Sequence, residues 1–490
     1  MLRASTNTTN TMNLENCTSV LWKREFSDVL EEIPDALSTQ RSAEELRFIM
    51  STGLVSLDDM VKDPEKFFLA HRMLARQIPR MGSSLWIRFV LQYNLFAGSV
   101  CALGSPWQIR KFMERNAERP LLGCFALAEQ RPGQVDTVAE VSPDETHIIL
   151  STTTDMSAKT WISQGLIADE ALVLETMVVH GHSYGPQAFL IKLRDNDGTL
   201  LPGITLLDMG PKDAGGDLDN ARITFDKVRI PLSTHLSRYL EFKNGTVVHH
   251  AGKRVSTLEI IGKTLNTGRI AVSQAALTST RAKLEIIANN FDASSVCWTP
   301  MLTPRPRARR AGHDGKPKLT KRLIAEAFHN LDRLNKFAER VEAELCVSIL
   351  HQQEPKERTL QAISVLKVEA VEICIEIMAT IETPNNCNLF LGHDFLKCCK
   401  FAEGDTNALM QKMTRDLIHR NSSNSSSKAL SKQVDAALDD LQRELMLIEQ
   451  GNGCSSAEAW DRCGELVYVV AEAHMDEILQ SYGCLVNVVE

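Results

Sequence analysis

Hydrophobic and polar positions divide this chain into a helical beginning, a stranded middle and a long helical end. From about Val20 to Arg119 apolar residues recur at helix spacing. Glu44, Glu45, Leu46, Phe48, Ile49 and Met50 open one helix, and Asp63-Pro64 starts another that runs through Phe67, Phe68 and Ala70. Trp86, Phe89, Val90, Tyr93 and Leu95 supply a third apolar face. After Pro120 the texture changes to short β-type runs: Leu122–Leu127, Thr146–Leu150, Ala171–Leu174, Gln187–Lys192, Gly203–Leu207 and Ala221–Phe225. Turn clusters such as Asp195-Asn-Asp-Gly198 and Ala214-Gly-Gly216 separate them, which predicts a compact antiparallel β domain or barrel. Beyond Lys263 the helical pattern returns over Thr264–Phe291, Leu319–Leu350 and Glu357–Ile381. A fourth such helix carries Leu409, Met410, Met413 and Leu417.

These patterns predict a disordered N-terminus over 1–19, a helical domain over 20–119, a β domain over 120–245 and a helical bundle over 246–420. A Ser/Asn-rich linker over 421–428 then leads to a helical segment over 429–490, with one helix on Leu430, Val434, Leu438 and Leu441 and a second over Ala457–Tyr482. At 490 residues, 43% hydrophobic and 24% charged, the composition is that of an ordinary soluble globular protein with several cores. A net charge of −8 argues against nucleic-acid binding, and no apolar run approaches the ~20 residues of a membrane span. The first residues lack the apolar core of a secretory signal, so the twelve cysteines are expected as reduced thiols. The C-terminus, Asn487-Val-Val-Glu490, is not an S-K-L type peroxisomal address.

The candidate chemistry centres on Phe401-Ala-Glu403-Gly404-Asp405-Thr406-Asn407. Asp405, Thr406 and Asn407 are residue types that cap a helix start, so Glu403 sits on the turn just before one. Gly404 lets the backbone bend and a substrate come close, which suits a general base, although a carboxylate there also complements a helix dipole. This segment resembles the catalytic-base segment of the acyl-CoA oxidase and acyl-CoA dehydrogenase superfamily. Asp63-Pro-Glu-Lys-Phe-Phe, Leu103-Gly-Ser-Pro-Trp-Gln-Ile-Arg, Lys159-Thr-Trp161-Ile-Ser163-Gln-Gly165, Leu201-Pro-Gly-Ile, Asp219-Asn220 through Pro231 and Thr267-Gly-Arg269 also match words of that family, closest to the oxidases.

The resemblance implies an α+β fold of the acyl-CoA dehydrogenase type: an N-terminal helical domain, a middle antiparallel β domain, a C-terminal four-helix bundle, and part of the extra helical domain of oxidases. It implies FAD as cofactor, with Trp161 against the flavin ring, Ser163 donating to its polar edge, and Ala128, Gly165 and Gly404 beside it. It implies Gly133 and Arg269 as substrate contacts and Glu403 as the base that takes the α-proton of a fatty acyl-CoA. The product would be a trans-2-enoyl-CoA of fatty acid β-oxidation, with oxygen giving hydrogen peroxide. The alternatives are a dehydrogenase passing electrons to an electron-transfer flavoprotein, or a non-catalytic homologue that binds acyl-CoA or a sister subunit. A homodimer or heterodimer is implied, and a peroxisomal location, with mitochondrion and cytosol left open. Several words depart from the family. Ala128 stands for a Thr, Arg131-Pro-Gly133-Gln134 for a glycine-rich loop, Asn289-Asn290 for an Arg, and Met378–Thr383 for a Gly-Gly word, all of which weakens the expected flavin contacts. His180-Gly-His182 and His249-His250 lack further ligands at metal spacing, so no metal is expected. Thr303–Arg310 is a dense basic stretch, read as an exposed loop or one over a cofactor's phosphates.

Overall fold

The computed structural model describes residues 9–130, 135–212, 215–243, 245–250, 256–290, 320–381, 389–422, 431–452 and 455–484. The chain opens with α1 (Thr9–Glu32) and α2 (Thr39–Ser51), then α3 (Asp59–Lys62), α4 (Pro64–Ala75), α5 (Ile78–Met81), α6 (Ser84–Val90), α7 (Ala97–Leu103) and α8 (Pro106–Glu118). Between α6 and α7 lies a π-helical turn, Leu91–Phe96. Local chemistry sets several starts. The Asp63 side chain accepts from Lys66 N ahead of Pro64, and Ser105 and Gln108 close a capping box ahead of Pro106. Helix α1 begins at Thr9, so the expectation of disorder over 1–19 is corrected for 9–19: polarity marks this stretch as solvated, and Thr and Asn do not forbid a helix.

The middle of the chain forms β1 (Gly123–Ala126), β2 (Val138–Val141), β3 (His147–Ser151), β4 (Lys159–Ser163), β5 (Glu170–Val179), β6 (His182–Lys192), β7 (Ile204–Asp208), β8 (Asn220–Phe225), β9 (Val228–Pro231), β10 (Leu240–Lys243) and β11 (Thr246–His249). The expected purely antiparallel sheet is corrected to a mixed one. β1 and β2 both run parallel to β5, sharing one of its edges, while β6 pairs antiparallel along the other. Alternation along a strand reports which face is buried, not which way a neighbour runs, so direction was not readable from pattern. β5 is almost wholly buried, as a central strand covered on both faces should be. A second sheet, β4-β8-β7, closes the domain over its own core of Ile162, Ala171, Val173, Phe189, Ile223 and Phe225.

Helices α9 (Thr257–Asn289), α10 (Thr320–Leu350) and α11 (Glu357–Ile381) pack on one another. Short α12 (Phe395–Phe401) lies on α9 and α11, and α13 (Thr406–Ser422) on α11. The bundle and the N-terminal helices share one continuous core, in which Phe67, Phe89 and Phe96 join Leu277, Leu334 and Val365. Most of the expected linker lies outside the described residues, although Asn421 and Ser422 belong to α13. The segment after it holds α14 (Lys432–Asn452), α15 (Ser456–Arg462) and α16 (Gly464–Ser481) around a small core of Val434, Leu438, Leu441, Val467 and Val470. The single helix expected over Ala457–Tyr482 is therefore broken at Cys463-Gly464, where glycine lowers the helix propensity.

Candidate active site

Glu403 stands where α12 stops and α13 has not begun. Ala402 leaves the helix in an extended conformation, Glu403 takes φ 57° and Gly404 φ 107°. A left-handed, non-glycine residue is uncommon and persists only where its surroundings hold it. Here the surroundings are specific. Arg269 Nε of α9 donates to Glu403 O at 3.0 Å, and Lys367 Nζ of α11 donates to Cys399 O at 2.5 Å and Lys400 O at 3.0 Å. Downstream, Asp405 Oδ1 caps the amides of Asn407 and Ala408.

The carboxyl itself is buried. Asn94 Nδ2, on the π-helical turn, donates to Oε1 at 3.0 Å, while Oε2 has no hydrogen-bond partner among the described residues. Burial pushes its pKa up from 4.5 to about 7, outweighing the opposing pull of Asn94, Arg269 and Lys367. A Cβ on Gly268 would lie 2.2 Å from Glu403 Cδ, so only glycine lets α9 pass this close to the carboxyl. Asn94 is itself fixed, its Oδ1 accepting from Thr267 Oγ1 at 2.6 Å. The result is one oriented oxygen and one uncommitted oxygen on a carboxyl that titrates near neutrality, which is what a general base needs.

The π-helical turn that carries Asn94 also reaches the β domain. Gln92 Oε1 accepts from Gly123 N at 2.8 Å, and its Nε2 donates to Leu121 O at 3.0 Å. Gln164, after β4, donates to Gly123 O at 2.8 Å, and Arg88 of α6 bonds Gln164 Oε1 and Asp219 Oδ1. The π-helical turn thus touches the Glu403 carboxyl through Asn94 and the residue after β4, Gln164, through Gln92. Trp161 has φ 58° within a register shift between β4 and β8, and the residue is 54% exposed. Such a bulge re-aims a side chain, here outward from the sheet. Asn220 Nδ2 donates to Trp161 O at 3.0 Å and to Ser163 Oγ at 3.1 Å, leaving the Ser163 hydroxyl proton to donate elsewhere.

The remaining candidates fall in different places. Ala128 O accepts from Thr160 N at 2.9 Å, which ties β4 to the segment after β1. Gly165 is packed, since a Cβ there would sit 2.7 Å from Ala221 Cβ. Arg269 meets the Glu403 carbonyl from a half-buried position on α9, with Nη1 also on Asn266 Oδ1. Gly133 and the basic stretch 303–310 lie outside the described residues. Among the described residues no group of three His, Cys, Asp or Glu is arranged to hold a metal. Three surface cavities of about 470, 460 and 580 Å³ are lined by other residues than Glu403 and Trp161.

No family model matches the chain. It is 27% identical over 233 residues to an acyl-coenzyme A oxidase-like protein of Mus musculus, covering 46% of this chain and 37% of that protein. It is 26% identical over 276 residues to acyl-coenzyme A oxidase acox-1.4 of Caenorhabditis elegans, covering 52% and 40%. These matches thus span about two fifths of the relatives' length. The fold superposes on the crystal structure of acyl-CoA oxidase 3 of Yarrowia lipolytica with a TM-score of 0.71, at 18% identity, over 94% of this chain and 74% of that one. The chain is similar in sequence to acyl-CoA oxidases over part of its length and shares their fold. An acyl-CoA oxidase-2 of Caenorhabditis elegans, crystallised with FAD, ascaroside-CoA and ATP, superposes at 0.67 and 19% identity over 96% of this chain and 78% of that one.

Within this fold the sequence reading missed Asn94, Gln92 and Lys367. Each is a buried polar residue in an otherwise apolar helical stretch, and that interruption is the one signal they leave in the sequence.

Proposed function

We propose that this protein removes the α and β hydrogens of a fatty acyl-CoA, with Glu403 as the base and FAD as the hydride acceptor. The observation that carries the reading is the Glu403 carboxyl: buried, raised to about 7, oriented by Asn94 through one oxygen and uncommitted at the other. The exposed Trp161 suits the face of a flat apolar ring, and the Ser163 hydroxyl keeps a proton for an acceptor on its edge. The residues present therefore fit the ring of a flavin. At the phosphate end the fit rests on fewer groups, because α9 ends on Asn289 and Asn290 rather than on a cation.

Bound FAD would supply a two-electron acceptor for the hydrogen leaving the β-carbon. Glu403 accepts the α-proton, and Asn94 and Arg269 hold it where that transfer is in reach. Oxygen, reduced by two electrons and two protons to hydrogen peroxide, is the acceptor that the oxidase relatives support, and a peroxisomal setting is supported by the peroxisomal oxidases of Arabidopsis thaliana and Rattus norvegicus among them. A dimer is the assembly that the family resemblance implies, and among the described residues no helix is long and apolar enough to cross a membrane.

The test is the visible spectrum of the purified protein. A flavin spectrum that bleaches when acyl-CoA is added without oxygen supports the reading, and Glu403→Gln should keep the flavin and lose the bleaching. A protein that stays colourless after incubation with FAD, yet binds acyl-CoA, would favour a non-catalytic homologue.

A further inference from the structure

Lys367 lies in the middle of α11 with no exposed surface, and among the described residues no carboxylate forms an ion pair with it. A buried ammonium without a counter-ion is retained only where other groups replace its water. Here the groups are carbonyls. Helix α12 ends at Phe401, and of its last-turn carbonyls Cys398 O accepts from Ala402 N. Cys399 O and Lys400 O face inward to Lys367 Nζ at 2.5 and 3.0 Å. A cation at a helix C-terminus also meets the negative end of the helix dipole. Three residues later comes the left-handed Glu403, whose own carbonyl is taken by Arg269.

We propose that Lys367 is a positioning residue for Glu403: its buried ammonium anchors the end of α12 and so fixes the turn that aims the carboxyl at Asn94. The inference rests on the reading of Glu403 as the base. Without the anchor the last turn of α12 loses two bonded carbonyls, and the strained turn behind it is free to relax. The charged and titratable groups that face this pair are Arg269 on α9, Cys399 and Asp405 on the Glu403 segment, and Lys400 paired with Glu372 of α11 at 3.1 Å. Lys367 and Arg269 are the cations that favour the ionised carboxyl, so removing one shifts its titration upward.

The experiment compares wild type, Lys367→Met and Lys367→Arg by two readouts. The first needs no flavin: an infrared pH titration of the carboxylic-acid band that Glu403→Gln deletes. The wild-type midpoint is expected near 7, and Lys367→Met should raise it by about one pH unit. The second is anaerobic flavin bleaching by acyl-CoA, which should slow by about 100-fold with little change in the half-saturating concentration. Lys367→Arg should recover most of both. Where Lys367→Met does not fold, Lys367→Gln, which keeps a donor and removes the charge, carries the comparison. An unmoved midpoint or an unmoved rate overturns the positioning role, and in protein without flavin the midpoint alone decides. Wild-type bleaching in Glu403→Gln instead overturns the base reading, leaving the midpoint to judge Lys367.

Discussion

At the scale of single residues, the site is defined by how little room surrounds the Glu403 carboxyl. Gly268 makes that testable. An alanine Cβ there would meet Glu403 Cδ at 2.2 Å and Asn94 Nδ2 at 2.4 Å, so the carboxyl must move or lose its donor. Gly268→Ala is expected to reduce acyl-CoA bleaching by about 100-fold while the helix, which alanine favours, survives. Stopped-flow rates beside a circular dichroism melt would check both halves. The place of Glu403 on a turn just before a helix was legible in the sequence, from a glycine after it and then three capping residue types. Asn94 was not, since its partner lies 309 residues away and pattern carries no information about contacts across such distances.

At the scale of elements, α6 and the π-helical turn after it decide how the domains meet. Arg88 is fully buried and donates to Ser42 Oγ, Thr39 O, Gln164 Oε1 and Asp219 Oδ1, the last at 2.7 Å. Removing it leaves Asp219 buried without its cation, so Arg88→Met should cost about 3–5 kcal/mol in urea unfolding. Adding Asp219→Asn should recover part of that cost, because the uncompensated charge is gone. β1, β3, β5, β6, β7, β8 and the long helices were legible as elements, α11 to its ends, while β2, β4 and β9 to β11 were not among the runs named. Strand direction, the break at Cys463-Gly464 and the π-turn were not, because each depends on packing partners rather than on local periodicity.

At the scale of the whole molecule, the order of helices, strands and helices was readable from composition and spacing, and it matches the fold of the oxidase structures. What composition did not carry is the polar cluster buried inside the β domain. Lys159 Nζ bonds Glu129 Oε1 at 2.6 Å, and nearby Glu175 is buried with neither oxygen hydrogen-bonded among the described residues. Burial raises the Glu175 pKa from 4.5 to about 8. A carboxyl raised in the folded state contributes stability that is complete below about 4.5 and is lost as pH rises through about 8. The loss is roughly 1.4 kcal/mol per pH unit across that window. Global stability should therefore fall less steeply between about pH 5 and pH 8 in Glu175→Gln than in wild type, as urea midpoints over that range would reveal.

The central claim is that Glu403 takes a proton from the carbon next to a thioester. The most direct measurement is exchange of that proton with heavy water in an acyl-CoA whose β-carbon is replaced by sulfur, which cannot lose a β-hydride, followed by proton NMR. The wild-type protein should catalyse the exchange, with a rate that climbs as pH passes about 7, and Glu403→Gln should reduce it to the rate in buffer. Equal exchange in both proteins would contradict the assignment.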